Sequence, residues 1–370
     1  MKVGLNATCF NDRPSGARQR FIGIYGELFK RLKDTEFVIY EPSDCRVGSW
    51  FDGEANVSFR QTPIPSEGRI QRLTRGLLYW GAALECEKFD IFENFHLPII
   101  KAPTGRSLLT IHDIRGINSG YGPLLQPVYK MILDRSIEAV DHVITVSETM
   151  KEEIVKFYPD THISVIYNGV EAHGFDGISE SDKLAIRRQL ALPEEFILAV
   201  GHFEKRKNYL RLIESISILR DKGRFCSLVI IGNDSGGRDV LERRVESLNL
   251  SEKVQILSGL SDLEVRCAYK LCKLFVFPST YEGFGIPILE AMAACCPMVL
   301  SDIPVFREIT QNHGIYFPYD DVELMACAIE RGLTSRDERL QSIEYGCERV
   351  NDFCFQILAT KLAVLYRDIL

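Results

Sequence analysis

The chain has 370 residues, too many for one ordinary core, so two domains are expected, with three as the other option. Its composition, 46% apolar and 26% charged, is that of a globular protein. A net charge of −7 excludes nucleic acid as the main partner, because binding a phosphate backbone needs a broad basic surface, yet a few local cations suffice for a small anionic ligand.

In chain order the pattern is strand, turn, helix, repeated. Short apolar runs predict strands at 2–6, 37–41, 56–59, 89–95, 107–111, 142–147 and 163–168, with helical periodicity at 18–33, 69–85, 124–138 and 147–157. The segment 167–195 is polar, holds three glycines and lacks a strand; it reads as an interdomain connection and hinge that ends in a short helix. Beyond it, strands at 196–201, 226–232, 254–259, 274–278, 297–301 and 314–317 each precede a helical segment, which fits a second doubly wound domain. Ser261 with Glu264 forms a predicted capping box, and Ser301 with Pro304 predicts another helix start. The stretch 335–370 is helical with no strand after it, and the exposed flank of the first domain is one surface for it to cover. Such alternation is the signature of α/β domains with mostly parallel sheets, whose ligands bind outside the carboxyl ends of the strands. The cleft between two such domains is the default site.

The opening "MKVGLNATCFNDRPSG" has no apolar run of signal-peptide length, and no stretch approaches the roughly 20 apolar residues of a membrane helix. Eleven cysteines, an odd number without C-x-x-C, read as reduced thiols of a cytosolic chain, with Cys295 and Cys296 on a buried helix.

The chemistry concentrates in "STYEGFGIPILEAM" (279–292), where Glu282 and Glu290 bracket a glycine-bearing bend. The helix is predicted to begin near Ile286, with Pro287 in its first turn, where a missing N–H costs nothing. Gly283 and Gly285 permit close approach of the backbone, and the free N–H groups of the helix start suit a phosphate. Glu290 lies one turn inside the helix, about 6 Å from its start at 1.5 Å per residue. The two carboxylates are therefore too far apart for a close acid/base pair, but placed to grip hydroxyls at two ends of an extended ligand. Taken singly, each glutamate also reads as a solvated helix-start charge. In "VGHFEKRKN" (200–208), Lys205, Arg206 and Lys207 follow the first strand of the second domain, where they suit a pyrophosphate or form a solvated basic turn. Gly16, in "RPSGARQR", and His112, at the end of 107–111, occupy equivalent turns in the first domain. His112 alone reads equally as a satisfied histidine under a loop. Arg69, Arg72 and Arg75 share a helical spacing that reads as a solvated face or as a surface for a lipid-linked or polysaccharide acceptor. No G-x-G-x-x-G, P-loop, metal-ligand spacing or D-x-D pair is present, so neither a dinucleotide fingerprint nor a metal site is expected.

Together these residues resemble glycosyltransferase family 4, the retaining GT-B enzymes. Its E-G-F-G-x-P-x-x-E pattern stands complete from Glu282 to Glu290, and "RKN" (206–208), "HDI" (112–114) and "VSE" (146–148) also match. The resemblance implies two doubly wound Rossmann-like domains facing across a cleft. The acceptor side is residues 1–170, with 351–370 returning to it, and the donor side is 171–350. It implies a hexose transferred from a UDP-glucose-type or GDP-mannose-type donor to a glycan, lipid-linked or polysaccharide-precursor acceptor, without a metal. Glu282 would contact the transferred sugar, Glu290 the ribose, and Arg206 and Lys207 the diphosphate. Backbone groups of Gly283, Phe284, Gly285 and Ile286 would add hydrogen bonds, and Gly16 and His112 would line the donor from the first domain. Two departures are His202 where many members have arginine, with Arg206 taking that phosphate role, and Ser15–Gly16 in place of Gly-Gly. A cytoplasmic protein is expected, with peripheral contact at the inner membrane face. The alternatives are a sugar-nucleotide epimerase of the same architecture and a nucleotide-sugar-binding protein without transfer activity.

Overall fold

A computed structural model of the chain describes residues 1–51, 53–85, 87–118, 125–224 and 226–370, leaving aside the side chains at 69 and 118. Residue 124 of the predicted 124–138 helix, Cys86 and the Arg69 side chain thus lie outside the description. Among the described residues, thirteen strands form two wholly parallel sheets. The first contains β1 (Lys2–Asn6), β2 (Glu36–Glu41), β3 (Val57–Gln61), β4 (Ile91–Asn94), β5 (Arg106–Ile111), β6 (His142–Thr145) and β7 (Ile163–Val165), in the order β3-β2-β1-β4-β5-β6-β7. The second contains β8 (Phe196–Val200), β9 (Ser227–Ile231), β10 (Val254–Leu257), β11 (Leu274–Phe277), β12 (Met298–Ser301) and β13 (Ile315–Phe317), in the order β10-β9-β8-β11-β12-β13. In both, strand order reverses beside the first strand, which opens a crevice between the first and fourth strands at their carboxyl ends. Among the described residues, no helix is long and apolar enough to cross a membrane.

The chain divides into two compact units, Met1–Gly169 with Phe355–Leu370, and Val170–Cys354. The C-terminal helix Phe355–Asp368 belongs to the first, where Leu358, Ala359, Leu362 and Ala363 are buried in one cluster with Leu28, Phe29 and Ile166. Phe355 is seated by two glycines: a Cβ at Gly23 would come within 2.4 Å of its ring and one at Gly169 within 2.6 Å.

Local departures from expectation have identifiable causes. β7 ends at Val165 rather than 168 because Nη1 of the buried Arg20 takes the carbonyls of Ile166 (2.7 Å) and Tyr167 (2.6 Å). The first helix begins at Gly16, where Ser15 Oγ accepts from the Arg18 N–H, and passes through a π-helical stretch, Phe21–Tyr25. Helix Pro304–Thr310 starts without a side-chain cap, Ile303 being its N-cap, and the Ser301 hydroxyl donates to the Phe277 carbonyl instead. The expectation of reduced thiols on a buried helix fails at Cys295. This residue lies past the helix end with φ 54, is exposed, and forms a disulfide with Cys347.

Candidate functional site

In the second unit, the turns after β8 and β11 meet. The Thr280 N–H donates to the Arg206 carbonyl at 2.8 Å, which docks one loop on the other. Gly201 sets up the first turn: its φ is +147, and a Cβ there would sit 3.0 Å from Lys207 Cε. Only glycine leaves room for a lysine stem that turns inward. Lys207 is 5% exposed, its Nζ 4.7 Å from the centre of the Phe277 ring.

Glu282 closes the arrangement. Its Oε1 accepts from Lys207 Nζ at 2.6 Å, and its Oε2 pairs with Arg206 Nη1 at 2.6 Å. Arg206 also pairs through Nε with Glu204 (2.8 Å) and donates to the Tyr281 carbonyl (3.3 Å). Burial pushes the Glu282 carboxyl up, but Lys207 and then Arg206 outweigh it and hold it below the ordinary carboxylate range. Burial pulls Lys207 down against the attraction of Glu282, while Arg206 is raised because Glu282 and Glu204 outweigh its burial. Glu282 therefore stays ionised because it faces two cations. Arg206 and Lys207 do not stand as free cations over the strand ends: Glu282 and Glu204 engage them.

Past Glu282, Gly285 takes φ +120 and leads into the helix Ile286–Ala293, with Pro287 in its first turn. Phe284 is 3% exposed and packs edge-on to Phe353 at 6.0 Å, so its side chain belongs to the core. Glu290 Oε2 accepts from the Tyr269 hydroxyl at 2.9 Å. Burial raises the Glu290 carboxyl against that hydrogen bond. Glu282 and Glu290 thus differ in state, one held by cations and the other by a phenol. His202 leaves its Nδ1 enclosed without a hydrogen-bond partner.

In the first unit, Gly16 is exposed as the first residue of its helix, and His112 is half-buried just past β5. Burial, then the nearby Arg20 charge, push the His112 imidazole down to about 3, so it is neutral at pH 7. Arg20, Glu204 and Tyr269 join these sites without a sequence signal of their own. Arg20 falls in the quoted "RPSGARQR" and Glu204 in "VGHFEKRKN", where each reads as one more solvated charge. Tyr269 carries no motif signal, because a tyrosine on a helix reads as core. Among the described residues no group of three or more metal-ligating side chains comes together.

Two parallel doubly wound units define the GT-B class. Over residues 33–173 the chain matches the family described as Glycosyltransferase Family 4, and over 182–349 the one described as Glycosyl transferases group 1. Both descriptions are of glycosyltransferases, and with the relatives they support a family 4 glycosyltransferase. It is 34% identical over 239 residues to the O-antigen chain mannosyltransferase RfbU of Salmonella typhimurium, a match covering 63% of this chain and 62% of that protein. The chain therefore spans less than two thirds of that relative. Sucrose-phosphate synthase from Thermosynechococcus elongatus superposes with a TM-score of 0.77 at 19% identity, covering 99% of this chain and 98% of the other. HepE of Anabaena in complex with UDP-glucose does so with a TM-score of 0.75 at 17% identity, covering 100% of both.

Proposed function

We propose that the protein is a retaining hexosyltransferase of polysaccharide or O-antigen assembly. It moves a hexose from a nucleoside-diphosphate sugar to a glycan, lipid-linked or polysaccharide-precursor acceptor. The observation that carries the reading is Glu282 held at 2.6 Å by both Arg206 and Lys207, next to the glycine-led start of a helix. A GDP-mannose-type donor is the first choice, since RfbU is named a mannosyltransferase, and a UDP-glucose-type donor the second, since HepE holds UDP-glucose.

In the resting site Glu282 and Glu204 balance Arg206 and Lys207. An incoming diphosphate takes over part of the cations' pairing, which turns the Glu282 carboxylate toward the sugar. The anomeric C–O bond then breaks with its electron pair on the β-phosphate oxygen. There Arg206, Lys207 and the backbone N–H groups of Gly283, Phe284, Gly285 and Ile286 stabilise the developing charge. The acceptor hydroxyl attacks from the same face and passes its proton to that phosphate oxygen, giving retention. Fixed cations make a divalent ion unnecessary. Glu290, oriented by Tyr269, takes the ribose hydroxyls. Gly16 borders the diphosphate, and neutral His112 hydrogen-bonds a sugar hydroxyl without adding charge. Lipid-linked acceptors place the protein at the inner face of the membrane as a peripheral partner.

Nucleoside diphosphate release from GDP-mannose or UDP-glucose, with and without a glycan acceptor, tests this. The expected result is acceptor-dependent release that persists in excess EDTA. Epimerised sugar from donor alone supports the epimerase instead, and nucleotide binding with no turnover supports the binding protein. Loss on chelation, restored by magnesium or manganese, overturns the metal-free chemistry.

A further inference from the structure

Both ends of the helix Ile286–Ala293 rest on one stretch of chain, the helix Arg336–Arg349 and the turn Val350–Phe353 that follows it. At the ligand end, Phe353 packs edge-on to Phe284, which stands between Gly283 and Gly285. At the far end, Gly346 lets the two helices close up, since a Cβ there would come within 3.2 Å of Met292 Cγ. Next to it, Cys347 is bonded to Cys295, with the two Cα atoms 5.5 Å apart, an ordinary span for a disulfide.

Cys295 is an unusual residue for its place. It takes φ 54 just past the helix end, where its N–H donates to the Met292 carbonyl and that of Cys296 to the Ala291 carbonyl, each at 2.9 Å. Glycine makes this turn without a steric penalty, and cysteine does not. Strain at such a position points to a use, and the bond to Cys347 is one. The bond is also within reach of a small thiol, because Cys295 is exposed and Cys347 half-buried. The neighbouring sulfurs of Cys272 and Cys296 lie 3.2 Å apart but are enclosed: Cys296 is buried, and burial pushes the Cys272 thiol well up, which makes it a poor nucleophile. Opening the 295–347 bond leaves the helix Arg336–Arg349 seated. Ser342 Oγ still accepts from the Met298 N–H at 3.3 Å, and Arg349 Nε still donates to the Ile309 carbonyl at 3.2 Å. What is let go is the far end of the helix Ile286–Ala293.

We propose that Cys295 and Cys347 are a reversible thiol–disulfide site: oxidised, they fix the helix Ile286–Ala293 for its ligand, and reduced, they free it. Reduction consumes two equivalents of a low-molecular-weight thiol such as glutathione. The first thiolate attacks one sulfur, the S–S bond breaks, and the departing cysteine takes a proton. The second attacks the mixed disulfide, the other cysteine leaves and takes a proton, and oxidised glutathione is released, two electrons having passed to the cysteines. The effect on ligand rests on the diphosphate reading of 282–290, whereas redox state and helix order are measured without ligand, so the two can fail separately.

The test is the full chain equilibrated in glutathione buffers from reduced to oxidised, with free thiols trapped and mapped by peptide mass spectrometry and amide hydrogen exchange followed over 282–296. The expected result is a Cys295–Cys347 bond that forms and breaks with the buffer, and exchange in the last turn of the helix about tenfold slower when it is formed. Cys295→Ser and Cys347→Ser should each show the faster exchange in every buffer. Bare nucleoside diphosphate should bind the oxidised wild type about threefold more tightly than the reduced one or either serine variant. Free thiols at 295 and 347 throughout the series overturn the proposal, as does a bond mapped to Cys272 and Cys296. Equal exchange, or equal nucleotide affinity, in the two states makes the pair a plain cross-link and overturns it too. Absence of nucleotide binding in both states, with the exchange difference intact, supports the switch and sinks the diphosphate reading.

Discussion

Each unit places a glutamate in or just past its fourth strand, and the two are held in opposite ways. In the first unit Glu93 of β4 is fully buried, accepting from the hydroxyls of Tyr25 (2.7 Å), Thr110 and Tyr366. Burial raises its carboxyl despite those three donors, so the site favours the neutral acid. In the second unit Glu282 follows β11 and is clamped by two cations that lower its carboxyl. The lesson is that one scaffold position serves two purposes. A hydroxyl cage around Glu93 ties the C-terminal helix, through Tyr366, to the middle of the first sheet. An ionic clamp around Glu282 holds the turns after β8 and β11 together and is the charge that a diphosphate redistributes in the proposed reaction.

The sharpest way to break the comparison is to remove both carboxylates in turn. Glu282→Ala should lower turnover by about 100-fold or more if its contact tightens at the transition state. It should also cost about 3 kcal/mol of stability, because it strands a buried lysine. Glu93→Ala should cost about 2–3 kcal/mol by leaving buried hydroxyls without an acceptor. At a temperature where it remains folded, its turnover should stay close to wild type. Urea denaturation and donor turnover of both variants check this; a Glu282→Ala enzyme with normal turnover removes Glu282 from the reaction.

The pH dependence should carry opposite signs. Glu282 has a depressed folded-state pKa, so its stabilisation is present above the unfolded carboxyl value and is lost as pH falls through the folded one. The stability gap between wild type and Glu282→Gln should therefore close on acidification. Glu93 has a raised folded-state pKa, so its contribution is full below the unfolded value and is lost as pH rises through the folded one. Glu93→Gln should therefore gain on wild type as pH increases. Urea midpoints from about pH 4.5 downward follow the Glu282 trend and from about pH 4.5 upward the Glu93 trend, and trends of the same sign refute the contrast.

The smallest effect is expected at Glu290, held by a phenol as Glu93 is but beside the turn proposed to hold the diphosphate. Glu290→Gln should weaken binding of bare nucleoside diphosphate by about 1 kcal/mol, roughly fivefold, through a lost charged hydrogen bond. Turnover at saturating donor should change little, since ribose contacts serve ground and transition states alike. Calorimetric titration and saturation kinetics separate the two. A large fall in turnover with unchanged binding would exchange the proposed roles of Glu282 and Glu290.

The sequence by itself determined the strands, the doubly wound class and the loop from Glu282 to Glu290. Strands buried on both faces must be short apolar runs, and a helix start that follows a strand needs glycine and proline at set offsets. Only the tertiary structure decided which charges face inward. Lys207 reads as solvated in a basic run, yet Gly201 makes room for its stem and Glu282, 75 residues away, supplies its partner. Tyr366 reaches Glu93 across 273 residues, and the helix Arg69–Glu85 leaves Ile70, Leu73, Leu77 and Leu78 exposed to solvent. The reason is physical: periodicity is set by neighbours along the chain, whereas the protonation, pairing and exposure of a side chain are set by neighbours in space.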